Sequence, residues 1–314
     1  MDISVIIVSW NAKGCLKDCL ASLPQAFQAM TVETIVVDNG SSDGSAEMLE
    51  TEFPAVKLIR LKENRGFAAA NNIGIRASSG RYLALVNSDV IFLDNCLEKL
   101  AGFMDQNPTI GISGPRILNR DRTLQDSCRQ FPSLWNNFCN VSRLSRLFPK
   151  WEWAAGEHLM AFDHKSVRRV EGLVGCFLMA RKSAVDKFGL LDEGFFIYAE
   201  DIDWCKRCWD AGWEVVFYPD TSAIHLCGGS SANDPVRFDL EQQRAVFRYW
   251  KKHKGPVATA LLCGLYFCHY CIRLGVGLPA WVLARPSRSK AALSLKRNLS
   301  CLRSLFRSLL QTRV

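Results

Sequence analysis

Four short β-rich apolar runs, at residues 3–10, 32–38, 56–61 and 82–86, alternate with stretches of helical spacing through the first hundred residues. Alternation of that kind predicts a parallel sheet with crossover helices, because parallel neighbours need a long return connection. Residues 110–113 and 214–218 add two further candidate strands. In open α/β sheets ligands sit beyond the carboxyl ends of the strands, so the polar residues just after each run are the candidates for binding.

Two such groups stand out: Asp38-Asn39-Gly40-Ser41-Ser42-Asp43-Gly44-Ser45 after the second run and Asn87-Ser88-Asp89 after the fourth. The first also reads as a turn followed by an N-cap for a helix starting near Ser45. No G-x-G-x-x-G follows a strand and no G-x-x-x-x-G-K-[ST] occurs, so the dinucleotide and P-loop readings lose their usual support. What remains is nucleotide binding through carboxylates and amides, with an aspartate accepting from a base or ribose hydroxyl.

Near the middle of the chain, Tyr198-Ala199-Glu200-Asp201-Ile202-Asp203-Trp204 packs three carboxylates into four positions among aromatic residues. Mutual repulsion of that kind is kept where a cation or a transferable proton uses the charge. The same residues also suit a helix opening, where acids favour the macrodipole. Cys205 and Cys208 form a C-x-x-C on that helix, but no second pair or nearby His completes a zinc set, and helical spacing explains them. Thirteen Cys at irregular spacings, with no positively charged leader ahead of residue 3, fit reduced thiols on the cytosolic side.

Taken in order, Ile6-Ile7-Val8-Ser9-Trp10-Asn11, Val36-Val37-Asp38-Asn39-Gly40-Ser41-Ser42-Asp43-Gly44, residues 64–74 (NRGFAAANNIG), Asn87-Ser88-Asp89, Tyr198-Ala199-Glu200-Asp201-Ile202-Asp203 and His225 resemble the family 2 glycosyltransferases, most of all their rhamnosyltransferase-like members. The resemblance implies a GT-A fold, α/β with a mainly parallel central sheet, and an inverting transfer from a nucleoside diphosphate sugar. It makes Asp38, Asn39, Asn71, Asn87 and Asp89 donor-binding residues, with Asp38 on the nucleobase or ribose. Asp89 stands at the metal-binding end of the family's D-x-D motif and His225 at a C-terminal metal or diphosphate position, together holding Mg2+ or Mn2+. Asp201 stands at the catalytic base position, with Glu200 beside it either raising its pKa or hydrogen-bonding the acceptor. Asn87 replaces the first Asp of D-x-D, which leaves fewer anionic ligands. The helix start at residues 64–74 otherwise reads as close packing, and Arg129 and Arg181 are both candidates for touching the diphosphate or an anionic acceptor.

The basicity of the chain belongs to its end. Lys and Arg number 39 against 31 Asp and Glu, and residues 285–314 hold eight of the basic residues and no acid, which leaves residues 1–284 balanced. No nucleic-acid-binding face is implied. Residues 255–272 carry no formal charge, Arg273 interrupts, and residues 274–284 are again apolar. Eighteen residues reach only about 27 Å as a helix, the low end of spanning length. In-plane insertion on an anionic membrane surface, a true span and buried dimer helices all remain open. The expected organisation is a GT-A domain over 1–250, with a nucleotide-sugar part at 1–114 and an acceptor and catalytic part at 115–250, then membrane-associating helices and a basic tail over 251–314. The expected activity is transfer of rhamnose from dTDP-rhamnose to a glycan or lipid-linked acceptor at the cytoplasmic face of the membrane. A galactofuranosyl or hexosyl donor, or a non-catalytic sugar-nucleotide-binding scaffold, is the alternative; a homo-oligomer is compatible with either.

Overall fold

The structure is a computed structural model that describes residues 1–148, 150–154, 156–159, 162–226, 235–283 and 288–310. Eleven strands are formed by the described residues: β1 Ile3–Ser9, β2 Val32–Asp38, β3 Lys57–Arg60, β4 Tyr82–Asn87, β5 Val90–Phe92, β6 Ile110–Leu118, β7 Cys128–Arg129, β8 Arg168–Arg169, β9 Gly172–Leu173, β10 Phe177–Arg181 and β11 Glu214–His225. The helices are α1 Lys13–Ser22, α2 Ser45–Glu52, α3 Phe67–Arg76, α4 Cys96–Gln106, α5 Leu134–Val141, α6 Leu144–Leu147, α7 Lys182–Phe188, α8 Glu200–Asp210, α9 Pro235–His253, α10 Gly255–Leu283 and α11 Arg288–Leu310. The chain divides into two compact units, one of Met1–Phe131 with His158–Ser230 and one of Pro132–Glu157 with Ser231–Val314.

In the first unit the main sheet runs β3-β2-β1-β4-β10-β6-β11-β5, with β8 on β11. The expected parallel core is present: β1 pairs in parallel with β2 and β4, and β2 with β3. Every residue of β1 is buried, as a strand covered on both faces requires. Its side chains alternate between the faces. Ile3, Val5 and Ile7 pack with α1, α2 and α4 residues such as Leu16, Met48 and Leu97. Ile6 packs in the opposite layer with Ala68 of α3, Val185 of α7 and Trp204 of α8.

The sheet is mixed beyond β4. β10 lies antiparallel between β4 and β6, whereas β6 and β11 run parallel to each other. Two expected strands extend past prolines. β6 continues through Pro115 to Leu118, and β11 continues from Tyr218 past Pro219 to His225 with a register shift at that point. Such irregularities admit proline, which donates nothing to a ladder. Together these directions bring Ser9, Asp38, Asn87 and His225 to one edge of the sheet, the carboxyl edge.

In the second unit α10 is one continuous helix through Arg273, so the charge that interrupts the apolar run does not break the helix. α11, α9 and α5 pack against it. Residues 132–157, read from sequence with the acceptor part, group here with the C-terminal helices. Arg297, expected on a lipid-facing tail, instead makes a two-point ion pair with Asp239 of α9. Arg285 and Arg313 lie outside the described residues.

Candidate active site

Loops beyond β1, β2 and β3 build the first part of the carboxyl edge. Asp38 ends β2 and is buried at 2% exposure; its Oδ1 accepts from the Ser41 N–H at 2.9 Å. Its Oδ2 and the Ser9 Oγ are buried without a hydrogen-bond partner. An unpaired buried polar oxygen costs about 1–3 kcal/mol, and the penalty vanishes when a ligand hydroxyl or N–H meets it. Asn39 is spent otherwise. Its Nδ2 donates to Asn64 Oδ1 and Gly66 O, and its Oδ1 accepts from the Arg65 N–H, so it clamps residues 64–66 beside Asp38. Asn71 lies buried on α3, where its Nδ2 donates back to Phe67 O at 2.9 Å.

The second part forms where β11 ends beside β5. His225 pairs with Val90, one residue after Asp89, and the Leu226 N–H donates to Asp89 O. That register sets His225 Nε2 at 3.2 Å from Asp89 Oδ1 and 3.4 Å from Asn87 Nδ2. A carboxylate oxygen and an imidazole nitrogen at this distance either share a proton or flank a cation. Neighbouring ligands of a hard divalent cation, with bonds of about 2.1 Å, sit roughly 3 Å apart, so the pair fits two positions of Mg2+ or Mn2+. Asn87 Oδ1, buried without a partner, offers a neutral oxygen next to them. No group of three or more His, Cys, Asp or Glu capable of holding a metal exists among the described residues. Such a site leaves positions to be filled by phosphate oxygens and water, the usual manner of a phosphate-bound cation.

The third part is the acidic segment, and it does open a helix. Tyr198 and Ala199, both in the left-handed region at φ 71° and 62°, turn the chain into α8. Two consecutive left-handed non-glycine residues cost about 1 kcal/mol or more each, strain that clusters at working sites. The turn is held from α3: the Phe67 N–H donates to Phe196 O at 2.7 Å, across Gly66, whose φ is +89°. A Cβ on Gly66 would fall 2.6 Å from Phe196 O, so only glycine permits the approach. Asn72 adds a second tie, donating to Leu191 O and Glu193 while accepting from the Leu191 N–H.

Within the segment the three carboxylates are sorted by their surroundings. Asp203 is fully buried and paired with Arg207 at 2.9 Å, which fixes α8 in the core. Glu200 is buried, and its Oε2 has no hydrogen-bond partner. Burial, then the charge of Asp201, pushes its pKa well above the ordinary glutamate range. Asp201 is half-buried, with Oδ2 accepting from the Gly175 N–H at 2.7 Å and Oδ1 from the Ile202 N–H at 2.8 Å. Burial raises its pKa too, but those two N–H groups and the Arg129 charge oppose the rise. Both carboxyls are thus pushed upward, Glu200 the more strongly.

Gly175 and Cys176 connect these parts. While Gly175 holds Asp201, the Cys176 carbonyl accepts from the Asn87 N–H at 2.9 Å, so neighbouring backbone groups anchor the carboxylate and the cation-side asparagine. Neither residue stands out in the sequence. Of the two candidate arginines, Arg129 reaches the Asp201 neighbourhood. Arg181 does not: antiparallel β10 carries it to the opposite edge, where it donates to Ile110 O and Met104 O.

A family model for Glycosyl transferase family 2 matches residues 4–171, more than half of the chain. The chain belongs to this family. It is a glycosyltransferase with the GT-A fold. An N-acetylglucosaminyl-diphospho-decaprenol L-rhamnosyltransferase from Mycobacterium tuberculosis is 29% identical over 243 residues, covering 74% of this chain and 78% of its own. A dTDP-rhamnosyl transferase from Shigella flexneri is 26% identical over 271 residues, covering 83% of each. Among solved structures, a mannosyltransferase from Pyrobaculum calidifontis in complex with GDP-Man and Mn2+ aligns with a TM-score of 0.58 at 15% identity, over 97% of this chain and 87% of that one.

Proposed function

We propose that this glycosyltransferase moves rhamnose from dTDP-rhamnose to a lipid-linked or glycan acceptor, with inversion, at a membrane surface. Rhamnose is favoured because two relatives that each align over most of their length carry rhamnosyltransferase names. The observation that carries the catalytic reading is the Asp201 carboxylate, held by the Gly175 and Ile202 N–H groups beside the buried carboxyl of Glu200, whose pKa burial raises the more strongly.

In this reading Asp38 accepts from the base or ribose of the donor through its unpaired Oδ2, and residues 64–66, clamped by Asn39, wall that side. Asp89 and His225 would hold the divalent cation, which when bound would supply positive charge against the diphosphate leaving group. Asp201 takes the proton of the acceptor hydroxyl as the oxygen bonds to the anomeric carbon. The bond from that carbon to the phosphate oxygen breaks, its electrons leave on the nucleoside diphosphate, and one displacement inverts the centre. Glu200, protonated, would donate a hydrogen bond to the acceptor and leave the anionic role to its neighbour. A binding screen of nucleoside diphosphate sugars with and without Mg2+ or Mn2+ tests the donor. Tightest, cation-dependent binding of dTDP-rhamnose is expected, and preference for a hexosyl or galactofuranosyl donor refutes the rhamnose assignment.

The membrane reading rests on the second unit. Gly255–Val276 is long and apolar enough to cross a bilayer by length and composition, and most of its surface is left uncovered. Val257, Leu261, Ile272 and Val276 are exposed along one stripe of α10. The same unit presents Trp135, Trp151 and Trp153, each about half exposed at 52%, 52% and 51%, in an aromatic cluster with Phe138 and Phe148. Exposed Trp beside Arg143, Arg146 and Lys150 is the composition of an interfacial belt on anionic lipid. Trp135→Ala combined with Trp151→Ala should weaken flotation with anionic vesicles; unchanged flotation removes the cluster from the membrane contact.

A further inference from the structure

We infer that Gln125 is a positioning residue that holds His225 in its Nδ1–H form, turning the Nε2 lone pair toward the cation position beside Asp89. The inference rests on the proposed cation role of Asp89 and His225. It begins with a turn that sequence reading left unassigned. After β6 the chain reverses over residues 119–123: the Arg122 N–H donates to Asn119 O and the Asn119 N–H to Thr123 O, both at 2.8 Å. Leu118 bridges Leu124, and the Gln125 N–H donates to Ile117 O at 2.9 Å. Because β6 pairs Ile117 with Ala223 and Leu118 with Ile224 of β11, this register delivers Gln125 to the end of β11, where its Oε1 lies 2.9 Å from His225 Nδ1.

Which end of each side chain donates follows from the far end of the chain of hydrogen bonds. The Asn119 side chain lies 3.2 Å from the Leu124 carbonyl, which only accepts, so its nitrogen faces that oxygen. The same nitrogen donates to Thr123 Oγ1 at 2.9 Å, whose own hydrogen goes to Asp121 Oδ1 at 2.6 Å. Asn119 Oδ1 is therefore an acceptor, and it takes its hydrogen from Gln125 Nε2 at 3.1 Å. Gln125 then has only its oxygen for His225, and an oxygen requires a hydrogen on Nδ1. The neutral tautomer with hydrogen on Nε2 is excluded. In the neutral Nδ1–H form the Nε2 lone pair is directed to the Asp89 Oδ1 and Asn87 Nδ2 side, where the proposed cation would sit. A backbone carbonyl three hydrogen bonds away thus fixes the orientation of a ligand, the kind of outer support that typically accounts for 10- to 100-fold in metal affinity.

The test reads the imidazole and the cation separately. Nitrogen-15 shifts of the two ring nitrogens of His225, identified by their loss in His225→Ala and recorded well above the ordinary imidazole range of about 6.5, report the tautomer without metal. Titration with Mn2+ alone, followed by electron paramagnetic resonance, reports the affinity. The parental protein is expected to show hydrogen on Nδ1. In Gln125→Leu, which has lost the acceptor, hydrogen should move to Nε2 and Mn2+ affinity should fall about 10- to 100-fold. Gln125→Glu, which keeps an acceptor oxygen, should restore the Nδ1–H form and most of the affinity, an outcome that a merely structural role of Gln125 would not give. A parental His225 with hydrogen on Nε2, or Gln125→Leu with parental Mn2+ affinity, overturns the inference. A parental protein with the Nδ1–H form but no Mn2+ binding overturns the cation role itself, and the tautomer result distinguishes the two failures.

Discussion

Gly175→Ala isolates the position of the Asp201 carboxylate from its chemistry. A Cβ at residue 175 would lie 3.2 Å from Asp201 Cβ and 3.4 Å from its Oδ2. The carbon–carbon optimum begins at about 3.5 Å, so the aspartate must recede by a few tenths of an ångström, roughly 0.3–0.5 Å. The Gly175 N–H bond of 2.7 Å stretches with it. A misplacement of 1 Å at a reacting group costs about 100-fold; scaled logarithmically, this shift lowers kcat roughly 4- to 10-fold, or about 0.8–1.4 kcal/mol. Donor affinity should stay within about 2-fold, since residue 175 meets Asp201 and not the Asp38 side of the edge. Crowding also lowers stability, by about 1–3 kcal/mol. Gly102→Ala on α4 is the matched control, because its Cβ meets nothing within 4 Å and alanine favours a helix by about 0.5–1 kcal/mol. The assay is steady-state transfer together with donor binding by calorimetry for the three proteins. Parental kcat in a folded Gly175→Ala protein refutes the link between this backbone N–H and the rate.

The buried carboxyl of Glu200 binds its proton more tightly in the folded state, so its contribution to stability is complete below the ordinary glutamate value near 4.5 and is lost as pH rises through the raised value. Glu200→Gln should flatten the decline of Tm over that window, leaving the smaller share from Asp201, and parallel Tm curves would refute it. Arg297→Ala should lower stability by about 0.5–1 kcal/mol, a modest figure because the two-point pair with Asp239 is 42% and 26% exposed and screened by solvent, and should leave vesicle binding unchanged. Arg303→Glu, at an exposed position, should instead weaken binding to anionic vesicles in a salt-sensitive way, and equal vesicle binding by both variants would refute this division.

The parallel half of the sheet and its carboxyl edge were legible because each strand there is a continuous apolar run ending in a polar cluster, as at Asp38 and Asn87. The strands that cross Pro115 and Pro219 were cut short, since proline normally ends a ladder and nothing local signals that a register shift absorbs it. His225 therefore looked like a residue beyond a strand, whereas it is the last residue of one. Arg181 looked equivalent to Arg129 because strand direction leaves no mark in composition, and only antiparallel pairing carries it away. Asn39 carries a second task that its neighbours in sequence do not show, since its amide hydrogen-bonds residues 64–66. Gly175 and Gln125 carried no local signal. The first acts through a backbone N–H inside an apolar run, and the second acts through partners far away in sequence.

Asp201→Asn tests the central claim most directly. The amide keeps the shape of the side chain and removes its capacity to take the acceptor proton, so binding of dTDP-rhamnose and its transfer should be measured separately on parental and variant protein. Donor affinity within about 3-fold of the parental value with transfer reduced about 10²- to 10⁴-fold is the predicted result. Parental turnover in the Asn variant would contradict the account, by removing the general base from Asp201.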